Sequence, residues 1–386
     1  MTSPNKKDPC KAYVSGRVLV RKQDGFAFDR KDIYTRGGLI SEDIPIQDCE
    51  VIDCSGKILF SAFFNMHVHL GENMFRDISG GDWTIRDYLN YTNRIQEQMS
   101  DRERTLSWEC SANEVIRSLR QNYTAGFCAG RAVCSLPIGD FAVMSAYPLM
   151  KGKKLEHFMK SGIDGFLNYR RQNATANCNI GIILHSLYMN DGDSLLFAKQ
   201  CLKNGAAFLV IHVAEDEFTS SLETAKYGMS GIRFLDRCGL LSENTILVHC
   251  GCASPDDLKL VSAHGSAIAI CPVSNRFLNT APPDISFLDQ CGIPWFLCTD
   301  GTATGRTLSM FDQAAELKKL HPALQYSEIY ESITCRPAKV YKNRFYTGEL
   351  TPMSTACFLV SDDLNEPPEK FLESVFLRNN RCTLIM

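Results

Sequence analysis

The sequence has no run approaching the roughly 20 apolar residues of a membrane span. It has no cluster of Lys and Arg able to neutralise a phosphate backbone, and 41 Lys plus Arg against 44 Asp plus Glu leave a formal charge of −3. Membrane insertion and nucleic acid as a partner are therefore set aside. Its 17 cysteines never form a CxxC pair and are scattered through apolar segments, so they read as reduced buried thiols rather than a disulfide framework. The first residues, Met1 to Lys11, are polar and lack the hydrophobic core of a secretory signal, so a cytoplasmic protein is expected. Internal repeats and low-complexity linkers are also missing. What is present is 386 residues with 45% hydrophobic and 22% charged side chains, enough for one large barrel with an appendage and a deep site.

Two β-like runs, Ala12 to Val20 and Val51 to Asp53, lie near one end, and a third, Ala356 to Val360, near the other. They suggest a small β domain made from both termini. Between them, short apolar runs alternate with helix-period segments, the pattern of βα units on a parallel sheet. Eight strands are expected, ending near His69, Cys128, Tyr147, His185, His212, His249, Cys271 and Asp300. Runs such as Phe208 to Ile211 and Thr245 to Val248 are continuously apolar, as strands buried on both faces are. The reading is an α/β protein with a (β/α)8 TIM barrel over residues 59–340 and a small β-sandwich domain from residues 1–58 and 341–386. Asp193 is expected to cap a helix that Asn204-Gly205 stops, and Ser254-Pro255-Asp256-Asp257 to start another.

Four of the eight histidines, His67, His69, His212 and His249, fall at or just after strand ends. In such a barrel the C-terminal face carries the active site. His67 and His69 are two apart on one strand, so both point to one side and can share a metal. His212 is followed three residues later by Glu215, and Thr299-Asp300-Gly301 ends the last strand with a carboxylate. Three imidazoles, a carboxylate and one open position make a catalytic divalent site.

These motifs, in order, are Asp53-Cys54-Ser55-Gly56-Lys57, Asn65-Met66-His67-Val68-His69-Leu70, His185-Ser186-Leu187-Tyr188, His212-x-x-Glu215, Val248-His249-Cys250, Cys271-Pro272-Val273-Ser274-Asn275 and Thr299-Asp300-Gly301. Over nearly the whole chain they resemble the amidohydrolase superfamily, in the branch of S-adenosylhomocysteine and methylthioadenosine deaminases, guanine deaminase and the triazine hydrolases. The resemblance implies His67, His69, His212 and Asp300 as metal ligands, with Glu215 as proton shuttle. It implies His249 as the residue orienting the attacking water, and His185 as a substrate contact. Where dinuclear members place a carboxylated lysine, this chain has Ile182-Ile183-Leu184-His185, which implies one metal, Zn²⁺ first and Fe²⁺ as the alternative. Ser61-Ala62 stands where the family has a Pro-Gly pair, and Thr302-Ala303-Thr304-Gly305-Arg306 where relatives carry an Asn-rich segment, which leaves the substrate open.

The resulting expectation is hydrolytic deamination of an amino-substituted N-heterocycle (a purine, pterin, pyrimidine or related nucleoside), with Asp300 taking a proton from water and Glu215 protonating a ring nitrogen. The alternatives are hydrolysis of a cyclic amide or C–Cl bond, and a non-catalytic metal-binding homologue. Trp83 is a candidate to stack on a planar substrate, and Arg276 and Arg306 are candidates to read an anionic group. His157, His264 and His321 read as surface or packing residues, and Cys250 and Cys252 as packing thiols. The partner is a small heterocycle, and a homodimer would suit the relatives.

Overall fold

A computed structural model describes residues 8–42, 44–78, 82–129, 136, 138–148, 161–378 and 381–386; His157 lies outside these. Eight parallel strands form the central sheet in sequential order: β8 (Phe63–Val68), β9 (Thr124–Ala129), β10 (Ala142–Pro148), β11 (Cys178–Ser186), β12 (Leu209–Val213), β13 (Thr245–His249), β14 (Ala267–Ile270) and β15 (Trp295–Leu297). Every residue of β8, β9, β12, β13, β14 and β15 is buried, because helices cover the outside and side chains fill the inside. This is the (β/α)8 TIM barrel. No described helix is long and apolar enough to cross a membrane.

The ladder runs unbroken from β8 to β15, and its two ends meet through a side chain. Asn65 Nδ2 donates to Thr299 Oγ1 at 2.6 Å, Thr299 N donates to Asn65 Oδ1 at 3.3 Å, and Asp300 N donates to His67 O at 3.2 Å. Closing the barrel thus sets Asp300 beside His67.

Both termini contribute to a two-sheet domain. One sheet holds β1 (Cys10–Val14), β4 (Ile33–Arg36), β5 (Leu39–Ser41) and β6 (Glu50–Asp53); the other holds β2 (Arg17–Lys22), β3 (Gly25–Arg30), β7 (Lys57–Ser61), β16 (Phe358–Asp362) and β17 (Cys382–Ile385). Tyr13, Ile33 and Ile40 of the first sheet pack with Val18, Leu59 and Phe358 of the second in one core. β7 runs across residues 58 and 59 and leads straight into β8, so sandwich and barrel share a continuous segment. The C-terminal part also supplies a helix, Pro368–Phe376, whose Phe376 ring stacks on Phe63 and Tyr326.

Two local readings need correction. Cys10 and Cys49 are disulfide-bonded, while the other described cysteines form no disulfide. β1 and β6 pair in parallel with Lys11 opposite Glu50, which brings two residues 39 apart in sequence to a Cα separation of 4.5 Å. No spacing rule in the sequence shows such a neighbour. The cap of helix Gly192–Lys203 is Asp191, not Asp193: Asp191 is extended and accepts from Ser194 N at 2.9 Å, while Asp193 sits in the first turn. The start at Ser254 is as read, with Pro255 at the first position and a reciprocal bond to Asp257.

Asn65→Ala removes the two side-chain seam bonds and leaves the buried Thr299 amide unpaired, while the Asp300–His67 backbone bond remains. A loss of about 1–3 kcal/mol is expected from urea denaturation of the metal-free protein. An unchanged midpoint would show that other contacts hold the seam.

Candidate active site

The strand ends bring the polar residues together at the C-terminal face. Among the described residues, His67, His69, His212 and Asp300 each offer a ligand atom, all within 4.8 Å of one another. His67 and His69 share a face of β8 because strand side chains alternate. His212 comes from β12, and Asp300 from the turn after β15.

Hydrogen bonds aim these groups. The pairing of β11 with β12 slips between Ile183 and Ser186, a bulge that frees the His185 carbonyl. That carbonyl faces His212 Nδ1 at 3.0 Å, so Nδ1 carries the proton and Nε2 keeps its lone pair. Glu72 does the same for His69, contacting Nδ1 and leaving Nε2 3.5 Å from Asp300 Oδ1. Asp300 Oδ2 accepts from Ser274 Oγ at 2.6 Å and Thr304 Oγ1 at 3.0 Å. Its buried Oδ1 has no hydrogen-bond donor, nor does either His67 nitrogen have a partner. Orphaned buried polar atoms cost about 1–3 kcal/mol each, and a cation held by these four residues would take up Asp300 Oδ1 and one His67 nitrogen.

The electrostatics agree. Burial lowers His67 to about 4, and burial with the crowding of His67 and His185 pushes His212 well below its usual value, so both imidazoles are neutral donors. Burial opposes charge on His69, yet Glu72 and Asp300 outweigh it and lift His69 to about 9. Burial also works against Asp300, but His69 and His67 hold its carboxyl well below the usual range. Positive charge is wanted at this point.

Backbone strain marks the same turns. His185, Ala214, His249 and Asp300 all have positive φ, of 50°, 50°, 71° and 61°. Non-glycine residues in this region cost about 1–3 kcal/mol each and persist where the surroundings hold them.

Glu215 follows the strained Ala214 and places Oε1 3.2 Å from His249 Nε2. Burial, then the negative charge of Asp300, raises its pKa well above the usual carboxylate value. These residues, with His185, line a cavity of about 420 Å³. Its roof is helix α1 (Ile85–Gln98), held by a separate small core of Phe75, Ile78, Ile85, Tyr88, Leu278 and Ala303.

Trp83, Arg276 and Arg306 are not brought to this cavity. Trp83 stacks on Phe277 and meets the edge of Tyr91. Arg306 donates to Ile78 O at 2.7 Å and lies over Phe277, tying the roof to the loop after β15. Arg276 pairs with Glu316 at 3.1 Å, its side chain 63% exposed. All three serve or border the outside of the roof. His264 pairs with Asp236 on the surface, Cys250 is buried, and Cys252 is exposed rather than packed.

The residues that aim the site were not singled out from sequence. Glu72 lies three residues after His69, a spacing that offered a signal. Ser274 and Thr304 needed the barrel closure to reveal their common target. Glu223, 1% exposed, sits with both carboxyl oxygens 3.3 Å from Ala214 N and so braces the turn between His212 and Glu215.

Two outcomes follow. Glu72→Ala frees the His69 ring and should weaken metal affinity about 10- to 100-fold in chelator competition; unchanged affinity would remove Glu72 from the site. Burial is the main reason that the Glu223 pKa rises from 4.5 to about 8. Between those values the folded chain keeps a proton that the unfolded chain releases, so this group's contribution makes stability fall as pH rises through the window. Glu223→Gln should flatten that fall in denaturation midpoints, and an unaltered slope would contradict it.

The Amidohydrolase family model matches residues 58–386. A 5-methylthioadenosine/S-adenosylhomocysteine deaminase of Pyrococcus furiosus is 24% identical over 82% of this chain and 78% of its own length. Among solved structures, an adenosine deaminase from Xanthomonas campestris with bound zinc superposes with a TM-score of 0.80 at 15% identity, covering 96% of this chain and 88% of that one. A guanine deaminase from C. acetobutylicum with bound guanine gives 0.79 at 17% identity, covering 97% and 98%. With a family model spanning the barrel and the C-terminal strands, and a group of three histidines and an aspartate able to hold a metal at the barrel's C-terminal face, this chain belongs to the amidohydrolase family.

Proposed function

We propose that the protein is a hydrolytic deaminase of an amino-substituted N-heterocycle, of the purine, pterin or pyrimidine class or a related nucleoside. The observation that carries this reading is the buried Glu215, 3.2 Å from His249 and lining one cavity with the four-ligand group. The names of the relatives, deaminases acting on aminated purines, support it.

His67, His69, His212 and Asp300 would hold one divalent ion, and we take it to be Zn²⁺, supported by the zinc in a structural relative; imidazole and carboxylate also suit Fe²⁺. Such an ion, when bound, supplies water acidified to a pKa of about 7. Asp300, anionic and braced by Ser274 and Thr304, receives the proton that the water gives up. Glu215 gives its proton to a ring nitrogen next to the C–NH2 carbon, which makes that carbon electrophilic. His249, 3.2 Å from Glu215, orients the attacking oxygen. As the water oxygen bonds to that carbon, the amino group takes up the proton held by Asp300, the C–N bond breaks and ammonia leaves. His185, its ring stacked on His212, contacts the substrate ring. For location we keep the cytoplasm, since free thiols outnumber the one disulfide among the described cysteines.

Metal-quantified protein, assayed for ammonia against aminated purines, pterins, pyrimidines and nucleosides, is expected to release it from one class. Glu215→Gln should lower kcat about 10²–10⁴-fold with metal content unchanged. Near-normal turnover in that variant sinks the role of Glu215. Silence across the panel, with metal present, shifts the reading to a ring-amide or C–Cl hydrolase.

A further inference from the structure

The cavity has two chemically different ends. Its floor carries three carboxyls, Glu72, Glu215 and Asp300. Phe75, Met189, Phe218, Leu222 and Leu278 give it apolar sides suited to a flat ring. The roof helix α1 then presents Arg86, Asn90 and Asn93, successive turns of one helix face at spacings of four and three.

Arg86 is the only lysine or arginine among the described residues that line this cavity. Its guanidinium lies 4.3 Å over the Phe218 ring, and no carboxylate of the described residues forms an ion pair with it. The floor acids are engaged elsewhere: Glu72 with His69, Asp300 with Ser274 and Thr304, Glu215 with His249. Arg276 and Arg306, by contrast, are spent on Glu316 and on backbone carbonyls. A stacked guanidinium keeps its in-plane N–H donors free, the geometry that takes an oxyanion.

The guanidinium attracts an anionic arm to this end of the cavity.

Resting on the deaminase reading, we propose that the substrate is an aminated heterocycle bearing an oxyanionic arm, received by Arg86 with Asn90 and Asn93 beside it. The arm is a carboxylate or a phosphate, and the reacting ring lies at the floor.

The test uses matched probes: adenosine, adenosine 5′-carboxylate and adenosine 5′-phosphate, with pterin and pterin-6-carboxylate. Each is titrated calorimetrically into metal-loaded Glu215→Gln protein, with and without Arg86→Met, which keeps an apolar stem over Phe218. Ammonia release is measured in parallel on the protein with Glu215 intact. In at least one set the anionic member should bind about 10- to 100-fold more tightly than the neutral one, in a salt-sensitive manner. Arg86→Met should abolish that preference, leave the neutral member's affinity unchanged and raise KM for the anionic member with little change in kcat. The carboxylate and phosphate arms tell the two sources apart. Equal affinities within both sets, equal losses for neutral and anionic members, or no binding of any probe overturns the proposal. Ammonia from a neutral probe would then leave the deaminase reading standing, whereas tight anionic binding without ammonia from any compound would remove the deaminase and keep Arg86.

Discussion

The contact between Asp300 and His67 is where closing the barrel and building the site become one event. The Asp300 amide bonds the His67 carbonyl across the seam, while its carboxyl reaches toward the imidazoles of His67 and His69. Ser274 and Thr304 occupy one carboxyl oxygen and so decide which oxygen faces the histidines. Asn65, one turn of the pleat away from His67, secures the same seam through Thr299. A slip of one residue in β8 would send both histidines into the opposite face and lose the seam together with the ligands.

Much of this was legible because buried parallel strands leave a plain signature. Phe208 to Val213 and Thr245 to His249 are apolar until the residue that reaches the C-terminal face, so strand, end and polar group could be read at once. Residues acting through a partner were not legible in that way. Glu72 resembles any loop acid until the His69 ring is seen against it, and Glu223 resembles any helix acid until its burial under Ala214 is known. Arg276 and Arg306 follow active-face strands in sequence, yet their long side chains reach outward to Glu316 and to the roof. Arg86 lies seventeen residues past His69 on a helix, and only the roof's packing brings it over the cavity. The Cys10–Cys49 pair depends on a parallel register between β1 and β6 that no local pattern encodes.

The roof has its own packing. Phe75, Ile78, Tyr88 and Leu278 form a core distinct from that of the barrel, and Trp83, Phe277 and Arg306 extend it outward. A segment held by a small core can differ in sequence without disturbing the strands beneath it. On the proposed reading, reaction chemistry lies on the strand ends and substrate choice on α1, two separately packed units.

The site is costly before any ion binds. It gathers imidazoles that burial keeps neutral, leaves the His67 nitrogens and Asp300 Oδ1 without hydrogen-bond partners, and turns its strand ends through left-handed backbone at His185, His249 and Asp300. Each term opposes folding, so the barrel core must supply the stability that maintains them. An ion that binds only the folded chain offsets part of that cost by mass action, and the offset grows with its free concentration. The strain held in the ligand group is therefore the same preorganisation that suits it to a cation, since Glu72 and the His185 carbonyl engage Nδ1 of His69 and His212 and leave each Nε2 toward the group.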